Sequence, residues 1–133
     1  MRGKQKAGAD AEHLHLGRWG EELTALILSS QGYRLVCQNW RPQTPGLGRL
    51  GEIDLVFEDP AGQLVFCEVK TRSALGYGHP FEAVHQKKAR RLRQLALAWS
   101  QEQPGTYLGY RIDLVAICGQ ADSFSFEHLQ AVV

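Results

Sequence analysis

The strongest constraint on the fold is a pair of apolar runs, residues 52–58 (EIDLVFE) and 63–70 (QLVFCEVK), separated by Asp59-Pro60-Ala61-Gly62. Runs this rich in Val, Ile, Leu and Phe read as strands, and the Pro-Xaa-Gly break between them folds the pair into an antiparallel hairpin. Pro60 suits the first central position of a type I turn, and Gly62 suits the left-handed residue that closes a three-residue loop. Asp59 is then expected to face Gln63, which sets Asp54 opposite Glu68 and Glu52 opposite Lys70. Because side chains alternate along a strand, Glu52, Asp54, Glu68 and Lys70 share one face. Ile53, Leu55, Phe57, Val65, Cys67 and Val69 share the other, so the expectation is one core face and one charged face.

Like charges directly opposite on a sheet are destabilising, so Asp54 facing Glu68 needs a compensating partner. A divalent cation is one such partner: Mg²⁺ takes carboxylate oxygens at about 2.1 Å and keeps positions open for water and phosphate. Residues two apart on a strand are separated by about 6.7 Å, so Lys70 can reach a phosphate or water beside a cation held by Glu68. The alternative is a solvated hairpin face with a Glu52–Lys70 ion pair.

The net charge of +1, from 15 Lys and Arg against 14 Asp and Glu, hides a segregation along the chain. Residues 52–69 hold five carboxylates and no base, whereas residues 70–93 hold seven bases against Glu82 alone. An acidic segment followed at once by a basic one suits a site that holds cations and grips phosphate; the alternative is charge spread over two solvated faces. No apolar run approaches the roughly 20 residues that span a bilayer, which argues against a membrane role. The opening MRGKQKAGADAEH lacks the apolar stretch of a secretory signal, so a cytoplasmic chain is expected. GLGRLG at 46–51 lacks the Lys-Ser/Thr of a phosphate-binding P-loop, which argues against nucleoside triphosphate hydrolysis. Cys37, Cys67 and Cys118 sit among strand-like neighbours without metal-ligand spacing and read as buried, reduced thiols.

At 133 residues the chain has room for one domain. Residues 1–13 read as a flexible tail and 14–133 as a single unit. Helical spacing runs from Leu14 to Gln31 and stops at Gly32. A weak strand follows at Tyr33–Trp40, then a Pro- and Gly-rich loop at 41–51 that reads as mobile. After the hairpin, a second loop (SALGYGHP) leads into a helix from Pro80 to Gln103, and Tyr110–Cys118 is a further strand. The last ten residues carry no clear signal. The expected order is αβββαβ, an α/β sandwich with helices covering a mixed sheet.

Two charged residues fall on apolar helix faces. In the first helix Glu21 shares a stripe with Leu14, Ala25 and Leu28, while Glu22 points away with His15, Arg18 and Ser29. A carboxylate aimed at the sheet is costly unless it is paired or bound to metal; local hydrogen bonding or a pair with Lys70 is the plainer reading. In the second helix Lys88 interrupts the stripe Phe81, Val84, Leu92, Leu95, Trp99; it either reaches toward carboxylates or phosphate or snorkels from the stripe edge. Lys87, Arg90 and Arg93 lie on outer faces, as a nucleic-acid contact strip or as an ordinary soluble face. The histidines lack ligand spacing, and Asp113 after Arg111 reads as a structural ion pair.

Asp54, thirteen residues, then Glu68-x-Lys70 resembles the PD-(D/E)xK constellation of restriction-endonuclease-like enzymes, without the proline before the aspartate. With Gly20-Glu21, Gly32-Tyr33, Asn39-x-Arg41, Gly51-Glu52-Ile53-Asp54-Leu55 and Glu68-Val69-Lys70-Thr71-Arg72, residues 15–118 strongly resemble the YraN-like family. That family comprises small bacterial proteins predicted to be endonucleases and similar to archaeal Holliday-junction resolvases. The resemblance implies a restriction-endonuclease-like fold and Mg²⁺- or Mn²⁺-dependent cleavage of DNA, branched DNA included. It implies Glu21, Asp54, Glu68 and the Val69 carbonyl as metal ligands, with Lys70 orienting water and offsetting charge on the phosphate. Glu52 is an additional acidic candidate, and Arg72, Lys87, Lys88, Arg90 and Arg93 are the candidate nucleic-acid contacts. Resolvase-like enzymes often act as symmetric dimers, so a homodimer is one expected arrangement. The rival expectation is a nucleic-acid- or partner-binding module of the same fold without turnover, and RNA remains open as a substrate.

Overall fold

The computed structural model describes residues 2–72 and 86–132, with side chains described over 15–72 and 88–132. Helix α1 spans Arg2–Ser30, β1 Arg34–Trp40, β2 Ile53–Glu58, β3 Leu64–Arg72, α2 Gln86–Glu102, β4 Tyr110–Gln120 and β5 Ser123–Leu129. The five strands form one mixed sheet in the order β1-β2-β3-β4-β5. All neighbours run antiparallel except β3 and β4, whose parallel pairing requires the long crossover that contains α2.

The hairpin has the register its turn dictates: Leu55 faces Cys67, Val56 faces Phe66, Phe57 faces Val65 and Glu58 faces Leu64. The Asp59 N–H donates to the Gln63 carbonyl at 2.9 Å, and Gly62 takes φ 90°, a conformation that only glycine adopts freely. The Asp59 carboxylate also accepts from the Ala61 and Gln63 N–H groups, both at 2.9 Å, so the turn is closed twice.

Four expectations need correction. First, the order is αβββαββ: the ambiguous C-terminus forms β5 against β4, where Phe124 is exposed and Phe126 half-buried. Phe124 and Phe126 do alternate with Ser123 and Ser125, but the strand lies at the sheet edge and buries little, so the short pattern alone did not mark it. Second, the face with Asp54 and Glu68 is not simply charged. Its strand positions Val56 and Phe66 form a core with Leu92, Leu95, Ala96 and Trp99 of α2, while Leu55, Phe57, Val65 and Cys67 pack with Leu28 of α1. The helices thus cover opposite faces, and the charged residues emerge only where β2 and β3 leave the core. Third, α1 begins at Arg2 rather than near Leu14, in keeping with the good helix formers Lys4, Gln5, Lys6, Ala7 and Ala9. Fourth, the 41–51 loop is tethered. Glu102 accepts from the Gln43 and Thr44 N–H groups at 2.7 and 3.1 Å, and Leu50 of the 3₁₀ turn Gly48–Leu50 is buried in the α2 core.

The SALGYGHP loop, the Pro80 helix start, Phe81 and Val84 lie outside the described residues. The three cysteines are free thiols; Cys67 is buried, whereas Cys37 and Cys118 are half-buried rather than fully enclosed. No described helix is long and apolar enough to cross a membrane.

Asp113 is fully buried and ion-paired. It takes Arg111 at 3.0 Å and His128 at 2.7 Å, and it accepts from the Ala131 N–H at 3.0 Å. Arg111 continues to Asp59 at 2.5 Å and donates to the Tyr33 hydroxyl at 2.6 Å. This network joins the hairpin turn to β4 and β5, as the structural reading of Asp113 requires. Burial alone would raise the Asp59 carboxyl, but the Gln63 N–H, Arg111 and the Ala61 N–H outweigh it and hold the group below its usual range.

Candidate active site

The site forms where β2 and β3 diverge. Ladder pairing between them ends at Leu55–Cys67, and one residue further on the Val69 N–H donates to Asp54 Oδ2 at 2.8 Å. A side-chain carboxylate has replaced the missing backbone acceptor and is fixed beside Glu68. The two carboxyl groups are near enough that the charge of Glu68 acts on Asp54. Burial first, and Glu68 second, push the Asp54 carboxyl up to about 8, although the Val69 hydrogen bond pulls the other way.

Glu68 is 8% exposed, and its charge is balanced from α2. The Arg91 guanidinium donates to Glu68 Oε2 at 2.9 Å, and the Lys88 ammonium lies 3.8 Å from the same oxygen. Lys88 and Arg91 are one turn apart and so share a helix face. Sequence reasoning singled out Lys88 and missed Arg91, whose place beside Glu68 shows only once α2 is set against the sheet.

Glu21 is brought in by a close contact between α1 and β3. A Cβ added to Gly20 would stand 2.1 Å from Thr71 Oγ1, so only glycine lets the helix lie this near the strand. Thr24 fixes the same turn by donating to the Gly20 carbonyl at 2.7 Å, and Glu22 is exposed as expected. Desolvation raises the Glu21 carboxyl; Asn39 lowers it, while Glu52 and Glu68 raise it further. Asn39 Nδ2 donates to Glu21 at 2.9 Å and to Glu52 at 3.0 Å, bridging the two carboxylates. It does so from φ 48°, a left-handed conformation that Asn tolerates better than most residues and that aims its amide into the cluster. Glu52 also pairs with Arg41 at 3.3 Å rather than with Lys70. Asn39 and Arg41 entered the sequence reading only through the family pattern; polar residues ending a strand gave no further signal.

The remaining candidates are distributed as follows. Lys70 is exposed, two positions beyond Glu68 on β3, and makes no ion pair with the described residues. Arg72 is half-buried at the end of β3 and does have a partner. Arg90 and Arg93 are exposed on α2, and the Lys87 side chain lies outside the described residues. Val69 reaches the site through its N–H. A groove of about 380 Å³ lined by Gly17, Arg18, Glu21, Gln38, Asn39 and Glu52 opens beside the cluster. Among the described residues no three His, Cys, Asp or Glu side chains stand close enough together to hold one metal ion. The donors themselves are carboxylates, the chemistry that Mg²⁺ and Mn²⁺ prefer, and Asp54 with Glu68 offers a two-residue start.

The fold and site define a mixed-sheet α/β protein with a carboxylate cluster at a strand divergence, faced by a cationic helix. Residues 20–117 match the family described as "Uncharacterised protein family UPF0102", and the chain belongs to that family. It is similar to UPF0102 proteins of Clavibacter michiganensis subsp. michiganensis (52% identical over 102 residues; 77% of this chain, 80% of the relative) and Arthrobacter sp. strain FB24 (47% over 118; 88% and 94%). A third UPF0102 protein, from Acidothermus cellulolyticus, is 43% identical over 121 residues, covering 84% of this chain and 86% of the relative.

Proposed function

We propose that the chain is a divalent-cation-dependent endodeoxyribonuclease with a restriction-endonuclease-like fold. The observation that carries this reading is the Asp54–Glu68 carboxyl pair, held together at the end of the β2–β3 ladder and faced by Lys88 and Arg91. Asp54 and Glu68 would hold Mg²⁺ or Mn²⁺ with the Val69 carbonyl as a further donor, while Glu21, which the family resemblance makes a third ligand, stands beside the pair in the acidic cluster rather than on the same ion. When bound, such an ion supplies a nucleophile from water at neutral pH and stabilises the leaving oxygen. Lys70 orients the attacking water and offsets phosphate charge from its exposed position. Glu52 acts at one remove, holding Asn39 and Arg41. Arg72, Lys87, Lys88, Arg90 and Arg93 contact the DNA backbone. A mixed sheet with a helix on each face supports the fold assignment, and a cytoplasmic homodimer acting on branched DNA is the arrangement the resolvase likeness favours.

A second reading, a binding module without turnover, is favoured by the engagement of Glu68 with two cations of its own chain. A panel of duplex, single-stranded, flap and four-way DNA plus RNA, each with Mg²⁺, Mn²⁺ or chelator, separates the readings. The nuclease reading expects metal-dependent cleavage that Asp54→Ala and Glu68→Ala abolish, with DNA binding kept in both and tighter in Glu68→Ala, which removes a negative charge. Lys70→Ala should lose cleavage and keep metal binding. Wild-type protein that binds no divalent ion by calorimetry, or Asp54→Ala that cuts at the wild-type rate, overturns it.

A further inference from the structure

We propose that Arg91 is an exchangeable counter-ion: it occupies Glu68 when no cation is bound, and is handed to a substrate phosphate when a divalent ion takes Glu68. The inference rests on the metal-nuclease reading and adds a residue to it. Glu68 is buried, yet the side chains of Arg91 and Lys88 are 33% and 31% exposed, so both bridge from the carboxylate to solvent. Arg91 uses a different nitrogen on each partner, donating from NH2 to Glu68 and from NH1 to the Leu50 carbonyl at 3.0 Å. Losing Glu68 therefore leaves the guanidinium still anchored at the site, with one edge free. That edge matches the planar, bidentate donor geometry by which Arg recognises phosphate.

The space for this exchange is built into the loop. Gly51 adopts φ 83°, and a Cβ there would stand 3.3 Å from Arg91 NH1, so the backbone before Glu52 passes directly beside the guanidinium. A cation about 2.1 Å from Glu68 would lie on the order of 5 Å from Arg91. Ion and guanidinium then repel, and a phosphate between them is attracted by both. The chain thus carries its own positive charge for the substrate and stores it on the carboxylate that the cation needs.

The test measures Mn²⁺ affinity by calorimetry and, separately, the salt dependence of duplex DNA binding in Ca²⁺. Removing one positive charge at about 5 Å from a divalent ion changes affinity roughly tenfold at the dielectric of water. Arg91→Gln should accordingly bind Mn²⁺ roughly tenfold tighter while the slope of log K against log salt flattens by about 0.9. Opposite changes in the two affinities are the signature, because a purely structural role would weaken both. Arg91→Lys, which keeps the charge, should stay near wild type for Mn²⁺. Lys88→Gln, which touches only Glu68 among the described residues, should tighten Mn²⁺ binding by a smaller factor and covers the case that Arg91→Gln does not fold. Wild-type binding of Mn²⁺ with unchanged or weaker binding in both Gln variants overturns the inference alone. Absence of Mn²⁺ binding in the wild type overturns the nuclease reading and the inference with it.

Discussion

The Val69 N–H donates to the Asp54 carboxylate at the first step where β2 and β3 cease to pair, so a side chain completes the hydrogen bonding of the sheet. The Asp54 carboxyl is thereby held by the backbone, and substitutions there act on the stability of the hairpin.

The first prediction concerns pH. Burial and Glu68 raise Asp54 to about 8, far above its value in an unfolded chain. The neutral form is the one the fold accommodates, so this contribution to stability is full below about pH 4 and is lost as pH rises through about 8. In chelator, urea denaturation should show wild-type stability falling across that interval, with Asp54→Asn markedly flatter and more stable at pH 8. An unaltered pH profile in Asp54→Asn would show that Asp54 is ionised throughout.

Gly20→Ala should destabilise the chain by about 1–3 kcal/mol, because the added methyl meets Thr71 Oγ1 and overfills a tight helix–strand contact. Thr71→Ala in the same chain should restore most of the loss, since it removes the opposing group, itself a buried hydroxyl without a hydrogen-bond partner among the described residues. A double-mutant cycle by chemical denaturation measures the coupling. Additive effects would place the strain elsewhere.

Asp113→Ala removes a carboxylate that is fully buried against Arg111 and His128. Arg111 keeps Asp59, but His128 and the Ala131 N–H lose their buried partner, a loss that costs about 1–3 kcal/mol. The midpoint in urea should drop accordingly, while Mn²⁺ affinity of the remaining folded protein stays at the wild-type value. A change in Mn²⁺ affinity would connect the two polar clusters.

Replacing Lys87, Arg90 and Arg93 together by Gln should flatten the salt slope of duplex binding by up to about 2.7 units and weaken every sequence alike. Arg90 and Arg93 are exposed, so thermal stability should change little. An unchanged slope would move the binding surface to the Gly-rich loops.

The hairpin was legible because turn chemistry alone fixed its register, and Asp54 and Glu68 then followed by alternation. Glu21 was legible as a charge on an apolar stripe. Arg91 was not, because an arginine beside Arg90 and near Lys87, Lys88 and Arg93 looks like any member of a solvated basic face until the sheet is set against it. β5 was hidden by edge exposure, and the second core by a face whose apolar positions, Val56 and Phe66, alternate with the very charges that drew attention. The Glu102 clasp on Gln43 and Thr44 joins residues nearly 60 positions apart. No local pattern encodes such a contact.

The parallel pairing of β3 with β4 also orders the assembly in time. β1, β2 and β3 form a meander of local contacts, whereas β4 reaches β3 only after the long crossover that contains α2 has closed. The acidic pair on β2 and β3 therefore needs only a local hairpin to assemble, while Lys88 and Arg91 reach it through a non-local closure. Until that closure is made the hairpin holds Asp54 and Glu68 without these two counter-ions, and that is the stage at which repulsion between the carboxylates weakens it most.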